Sequence, residues 1–166
     1  MRVNCLIDLR ITRESPESTL AVALLERYYR ELDGRFRDGF DRGRGSAAPP
    51  EELAAPCGLL LLAWHGQQPV GCGAVRRLDP DTAEIKRMWV DPGARGLGVG
   101  RSLLAALEAG AVELGCSAVR LDTAASLTEA LALYQSSGYV EIPAYNENPY
   151  AAHWLEKRVM TEPADR

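Results

Sequence analysis

Cysteine and histidine are scarce in this chain, and their arrangement excludes several kinds of chemistry. The four cysteines, Cys5, Cys57, Cys72 and Cys116, stand far apart and form no C-x-x-C pair, so no metal site and no thioredoxin-like dithiol is expected. Cys57 and Cys72 fall in apolar strand patterns and are expected as small core residues rather than nucleophiles or disulfide partners. Of the two histidines, His65 sits in the turn-like His65-Gly66-Gln67-Gln68 and is expected to be exposed. A G-x-S-x-G elbow is missing, which removes support for a serine-hydrolase triad. No apolar run approaches the roughly 20 residues of a membrane span. The start, Met1 to Asp8, has its short apolar stretch interrupted by Asn4 and Asp8, unlike a signal peptide. A cytoplasmic protein without a membrane partner is the expectation. An excess of positive charge is also lacking: the net charge is −4, so bulk electrostatics repel nucleic acid. Arg35, Arg37, Arg42 and Arg44 are interleaved with Asp38 and Asp41 in a glycine-rich stretch that reads as a solvated loop.

With 166 residues the chain has enough length for one core, not two. A single domain over 1–166 is expected, with its core at about 2–160 and a polar tail at 161–166. At 46% hydrophobic and 25% charged residues, the composition is that of a globular rather than a disordered chain.

The most informative stretch runs from Val90 to Ser102. Glu84 to Val90 reads as a strand, Asp91-Pro92-Gly93 breaks it, and from Val99 onward Leu103, Leu107, Ala111 and Leu114 recur at helical spacing. Gly96, Gly98 and Gly100 therefore fall at a helix N-terminus, where unpaired backbone N–H groups and the positive end of the helix dipole favour an anion. A dinucleotide fingerprint fails, because the required third glycine is Arg101 or Leu103. A P-loop fails as well, with Arg95 and Arg101 standing where glycine and lysine are needed.

What fits is R/Q-x-x-G-x-G/A, as Arg95-Gly96-Leu97-Gly98-Val99-Gly100, and here the chain resembles the GNAT superfamily of N-acetyltransferases. Two further segments carry the resemblance. The strand Glu84-Ile85-Lys86-Arg87-Met88-Trp89-Val90 enters the glycine turn in the family's register, and Leu133-Tyr134-Gln135-Ser136-Ser137-Gly138-Tyr139 looks like its L-Y-x-x-x-G-[FY] segment. The similarity spans roughly Thr82 to Val140 and is much weaker before it.

Along the chain, a strand is expected at about Arg2 to Arg10, followed by a helix opened by Ser15-Pro16 and stopped at Gly34. Residues from Arg35 to Pro56 read as an acceptor-side loop with a short helix at Glu51 to Ala55. Cys57 to Trp64, Val70 to Leu78 and Ala83 to Val90 form an antiparallel meander. Ala118 to Asp122 follows a helical crossover and should lie parallel to the strand before it. Ser126-Leu127-Thr128-Glu129 reads as a capping box for a helix that Gly138 ends, and Tyr139 to Ile142 and His153 to Val159 supply the last strands. The fold class is α/β (α+β): a mixed, mostly antiparallel six- to seven-stranded sheet flanked by helices, and the resemblance implies a GNAT-like acyl-CoA N-acyltransferase fold with a V-shaped splay between the fourth and fifth strands.

The resemblance implies acetyl transfer from acetyl-CoA, as cosubstrate, to a primary amine, with no metal. Met88, Trp89 and Val90 would offer main chain to the pantetheine. Gly96, Leu97, Gly98, Val99, Gly100, Arg101 and Ser102 would wrap the pyrophosphate beside the positive Arg95. Many relatives carry an asparagine after the fifth strand; here Leu127 occupies the matching position, and Ser126 is the candidate substitute contact. Glu84 stands where some members place a glutamate base, and equally suits a solvated strand carboxylate paired with Lys86 or Arg87. Tyr134 matches the family's general acid, and equally suits packing with Leu127 and Leu131. Tyr145-Asn146-Glu147-Asn148-Pro149-Tyr150 is either a loop over the acceptor or an ordinary turn, and Glu84 and Glu147 would suit a small cationic acceptor, with peptide amines still open. A homodimer through a sheet edge, a non-catalytic acyl-CoA sensor and a nucleotide binder also stay open.

Overall fold

A computed structural model describes residues 8–44 and 48–159. The expected first strand is found later in the chain. Strand β1 (Leu9–Glu14) pairs antiparallel with β2 (Gly58–His65), while 2–7 lie outside the described residues. Helix α1 (Thr19–Arg35) also starts later than expected. The Ser15 hydroxyl accepts from the Glu17 N–H at 3.3 Å and closes a local turn, so Ser18 becomes the cap, its hydroxyl accepting from Ala21 at 3.1 Å. Gly34 lies within α1 rather than ending it, because the Phe36 N–H still reaches the Leu32 carbonyl at 3.0 Å.

Strands β2, β3 (Gln68–Arg77) and β4 (Thr82–Val90) form the expected meander. In β2 successive leucines go to opposite faces. Leu60 and Leu62 join clusters with Ala21, Leu24 and Leu53, while Leu59, Leu61 and Ala63 face the helix that follows the glycine turn, α2 (Val99–Glu113). Both faces of the strand are covered, so its apolar run is unbroken. Small residues let α2 sit close: a Cβ at Gly73 would lie 2.7 Å from Leu107. Cys72 is a core residue as expected, its thiol pushed up to about 12 by burial, but Cys57 is exposed just before β2 begins. His65 is exposed at the hairpin end.

Strand β5 (Ala118–Thr123) runs parallel to β4 but pairs with it only over Thr82–Ala118, Ala83–Val119 and Glu84–Arg120. Beyond Glu84 the two strands part, which is the splay implied by the resemblance. Helix α3 (Thr128–Ser136) follows without the expected capping box. Its cap residue is Leu127, whose hydrocarbon side chain cannot cap, and Glu129 turns to the Arg35 guanidinium of α1, which holds its carboxyl down at about 2. Gly138 ends α3 at φ +95. Strands β6 (Val140–Glu141) and β7 (His153–Arg158) complete one seven-stranded mixed sheet in the order β1-β2-β3-β4-β5-β7-β6. The described residues contain no helix long and apolar enough to cross a membrane, and no group of three or more His, Cys, Asp or Glu side chains that could hold a metal ion.

Candidate active site

The glycine turn is built by short-range bonds. The Asp91 carboxylate accepts from the Gly93 N–H at 2.7 Å and also pairs with Arg27, shaping the turn Pro92–Ala94. Gly96 and Gly98 follow at φ +80 and +82, a conformation that side chains with a Cβ rarely adopt. The first bond of α2 runs from the Ser102 N–H to the Gly98 carbonyl at 3.1 Å, so the N–H groups of Val99, Gly100 and Arg101 have no acceptor within the helix. A Cβ built at Gly96 or Gly98 meets nothing within 4 Å, so the turn faces open space. At Gly100 it would come within 3.2 Å of Leu133, and here glycine lets α2 approach α3.

That open space is a cavity of about 370 Å³, lined by Met88, Trp89, Val90, Arg95, Gly96, Gly98, Val99, Gly100, Arg101 and Tyr134 together with Tyr28, Glu31 and Arg35 of α1. Leu97, Ser102 and Ser126 do not line it. Ser126 is exposed, its carbonyl 3.5 Å from the Arg35 guanidinium. Arg95 already holds Glu31 at 2.7 Å and lies 3.6 Å from Glu129, and its Nε donates to the Val90 carbonyl at 3.0 Å.

A second cavity, of about 140 Å³, adjoins the first. Phe36, Phe40 and Arg42 reach it from the segment after α1, Lys86 and Arg87 from β4, Asp122 from β5, and Asn148 and Tyr150 from the loop before β7. The two cavities share Tyr28, Leu32, Met88, Leu127, Ala130 and Tyr134. They meet where β4 leaves β5.

At this junction the backbone of β4 is bulged. Pairing with β3 shifts between Cys72–Trp89 and Ala74–Lys86, and Arg87 takes φ +55. Tyr134 is buried beside it, 5.9 Å edge-on from Tyr139. Burial, and then the nearby Asp122 charge, push its phenol well above the ordinary tyrosine range, so the hydroxyl keeps its proton.

Glu84 lines neither cavity. It is 2% exposed at the last position shared with β5, and its carboxylate meets Arg76 at 3.0 Å, Lys86 at 3.4 Å and the Tyr145 hydroxyl at 2.8 Å. The pairing with Lys86 matches one partner that its sequence position suggested, but the carboxylate is buried by the strands and the loop before β7 rather than solvated; Arg87 points elsewhere, donating to the Ala48 carbonyl at 2.8 Å. Glu147 is exposed and lines neither cavity.

The carboxylate that does line the second cavity is Asp122. It accepts from the Asn146 and Asn148 side-chain amides at 2.6 and 3.0 Å, and Trp154 holds Asn146 in turn at 2.9 Å. Sequence reasoning passed over Asp122, although a charged residue at the end of a buried strand beside a missing family asparagine was a usable signal. Arg87 and the rings of Phe36 and Phe40 left no such signal, because only the bulge and the fold-back of distant segments bring them to the cavity.

Residues 21–139 match the family model for the acetyltransferase (GNAT) family. An IAA acetyltransferase from Azospirillum brasilense is 35% identical over 136 residues, covering 81% of this chain and 86% of that one. Among solved structures, a GNAT-family acetyltransferase from Staphylococcus aureus Mu50 superposes with TM-score 0.74 at 20% identity, covering 92% of this chain and 99% of the other. A GNAT-family acetyltransferase from Elizabethkingia anophelis, solved with acetyl-CoA bound, gives TM-score 0.63 at 20% identity over 90% of this chain and 97% of that one. These structures share the fold.

Proposed function

This chain belongs to the GNAT acetyltransferase family, and on that premise we propose that it transfers an acetyl group from acetyl-CoA to a primary amine of a small molecule. The observation that supports this most is the meeting of two cavities at Met88 and Tyr134, one bordered by the glycine turn and the other by Asp122. The residues fit the cosubstrate. Three N–H groups at the start of α2 suit a pyrophosphate, and the glycine turn leaves room for it. Beyond Glu84, β4 has no β5 partner, so the main chain of Met88 is available to an extended pantetheine in the manner of strand addition, while the Val90 carbonyl already accepts from Arg95.

In this reading the acceptor ammonium gives its proton to Asp122, the carboxylate inside the acceptor cavity, rather than to Glu84, which is held by Arg76, Lys86 and Tyr145. The freed amine attacks the thioester carbonyl; as the carbon–sulfur bond breaks, the departing thiolate takes a proton from the Tyr134 hydroxyl, and the proton that the nitrogen loses on becoming an amide restores that hydroxyl. Main chain at the β4 bulge supplies a donor for charge developing on the carbonyl oxygen. Glu84 then serves to hold β4 against the loop that carries Asn146 and Asn148.

Calorimetric titration of acetyl-CoA into the purified chain is the first test. Micromolar affinity, about −8 kcal/mol, followed by amine-dependent release of CoA, is expected. Absence of binding by folded protein free of copurified CoA would overturn the reading.

A further inference from the structure

The acceptor cavity does not have the charge of a site for a cation. Arg87 and Lys86 enter it from β4, and Asp122 is the carboxylate that lines it. The acidic residues that pointed to a cationic acceptor are elsewhere: Glu84 is neutralised by Arg76 and Lys86, and Glu147 is exposed.

Arg87 is the informative residue. Its backbone is left-handed, at φ +55, a conformation costly for a residue with a side chain and one that concentrates at functional sites. The bulge turns this side chain to the cavity instead of continuing the pleat. Arg76, Arg95 and Arg120 each hold a carboxylate, whereas Arg87, half-buried, donates to the neutral carbonyl of Ala48, and among the described residues it forms no ion pair. A guanidinium carries five donors, so most of its capacity for an anion is unspent.

The same cavity is lined by a cluster of rings. Phe36, Phe40 and Tyr150 pack with centroids 4.8–5.9 Å apart, and the Tyr150 hydroxyl is fixed by the Asp41 N–H at 2.8 Å. Flat rings held in place favour a flat apolar body.

We propose that the acceptor is an aliphatic primary amine that carries an aromatic ring and a carboxylate or equivalent anion, with Arg87 binding the anion, the Phe36–Phe40–Tyr150 wall the ring, and Asp122 the ammonium. This rests on the acetyl-transfer reading of the same site. It assigns two side chains that line the cavity to the opposite charges of one dipolar molecule, so Asp122 does not conflict with an anion at Arg87.

The test compares L-phenylalanine, L-phenylalaninamide and 2-phenylethylamine as acceptors at saturating acetyl-CoA, for the wild-type chain, Arg87→Gln and Arg87→Lys. The wild type should favour the free acid over both neutralised analogues by about tenfold or more in kcat/KM, the scale of one charge-assisted pair. Arg87→Gln should reduce that preference to within about twofold through KM, and Arg87→Lys should keep part of it. Calorimetric affinity for acetyl-CoA reports on the other half of the site and should be retained in both variants. If none of the three amines turns over, N-acetyl-L-phenylalanine and its amide are titrated into the CoA-bound chain, where tighter binding of the acid supports the proposal. Equal binding, no binding, a preference for 2-phenylethylamine, or an acid preference that survives Arg87→Gln would each overturn it. Loss of acetyl-CoA binding by the wild type would instead overturn the acetyl-transfer reading.

Discussion

The Tyr145 hydroxyl donates to Glu84 at 2.8 Å, tying the loop before β7 to β4 at the last rung that β4 shares with β5. Burial, and then the charge of Glu84, push the Tyr145 phenol far above the ordinary range, so it remains a donor. On the carboxylate's other side Arg76 and Lys86 complete a cluster with little access to water. The sheet is clamped at the point where it opens.

Glu84→Gln should therefore act first on stability. Removing the buried carboxylate takes away the charge that Arg76 and Lys86 both meet, although Arg76 keeps its pairing with Glu52, and the loss should be on the order of 3 kcal/mol in urea denaturation. In the fraction that stays folded, the pH–rate profile should match the wild type, whereas Asp122→Asn should lower kcat on the order of a hundredfold. A pH profile displaced by Glu84→Gln, with Asp122→Asn near normal, would return the base to Glu84.

Tyr134→Phe removes the hydroxyl at the junction of the two cavities while leaving the ring in its packing against Tyr139. Single-turnover chemistry should slow by roughly a hundredfold, with acetyl-CoA affinity from calorimetry little changed. Turnover at the wild-type rate would reduce this tyrosine to a packing residue.

Gly98→Val should abolish measurable acetyl-CoA binding. Valine must enter φ +82 at a cost of about 2 kcal/mol or more, and its side chain projects into the open space above the turn. Circular dichroism distinguishes this from global unfolding. Normal acetyl-CoA affinity in the folded variant would displace the pyrophosphate from this turn.

Alkaline pH should destabilise the fold before it reaches any arginine. Burial raises the phenols of Tyr28, Tyr134, Tyr139 and Tyr145, so the folded chain keeps protons that the unfolded chain releases near pH ~10. Their stabilisation is complete below that pH and declines above it, by up to roughly 1.4 kcal/mol per pH unit for each phenol that the unfolded chain has ionised. Urea unfolding between pH 8 and 11 should show the decline, and Tyr139→Phe should flatten it by one phenol's share. Constant stability across the range would mean that these hydroxyls meet water.

The strand meander, the glycine turn and α2 were legible because each is set by local pattern: period-two alternation, Asp91-Pro92-Gly93, then leucines at helical spacing. The starts of α1 and α3 were less legible for a shared reason. At Ser15 a side-chain turn competes with the helix, and at Glu129 a remote arginine competes with the cap. Glu84 was readable as an unusual strand carboxylate, but its surroundings depend on Arg76 one strand away and Tyr145 sixty-one residues later. The acceptor cavity was the least legible part, because its walls come from the end of α1, the β4 bulge, the end of β5 and the loop before β7. No short window of sequence contains that combination.

The two cavities also differ in how their walls are distributed along the chain. Apart from one face of α1, the glycine-side cavity is lined by residues between 88 and 134. The other draws on segments more than a hundred residues apart, fastened to each other where the Asp41 N–H meets the Tyr150 hydroxyl. Substitutions at Phe36, Phe40 or Tyr150 can reshape one chamber without disturbing the glycine turn. Under the proposed acetyl-transfer reading, this separates a fixed donor port from an exchangeable acceptor port, and directed evolution toward new amines has a short list of positions from which to begin.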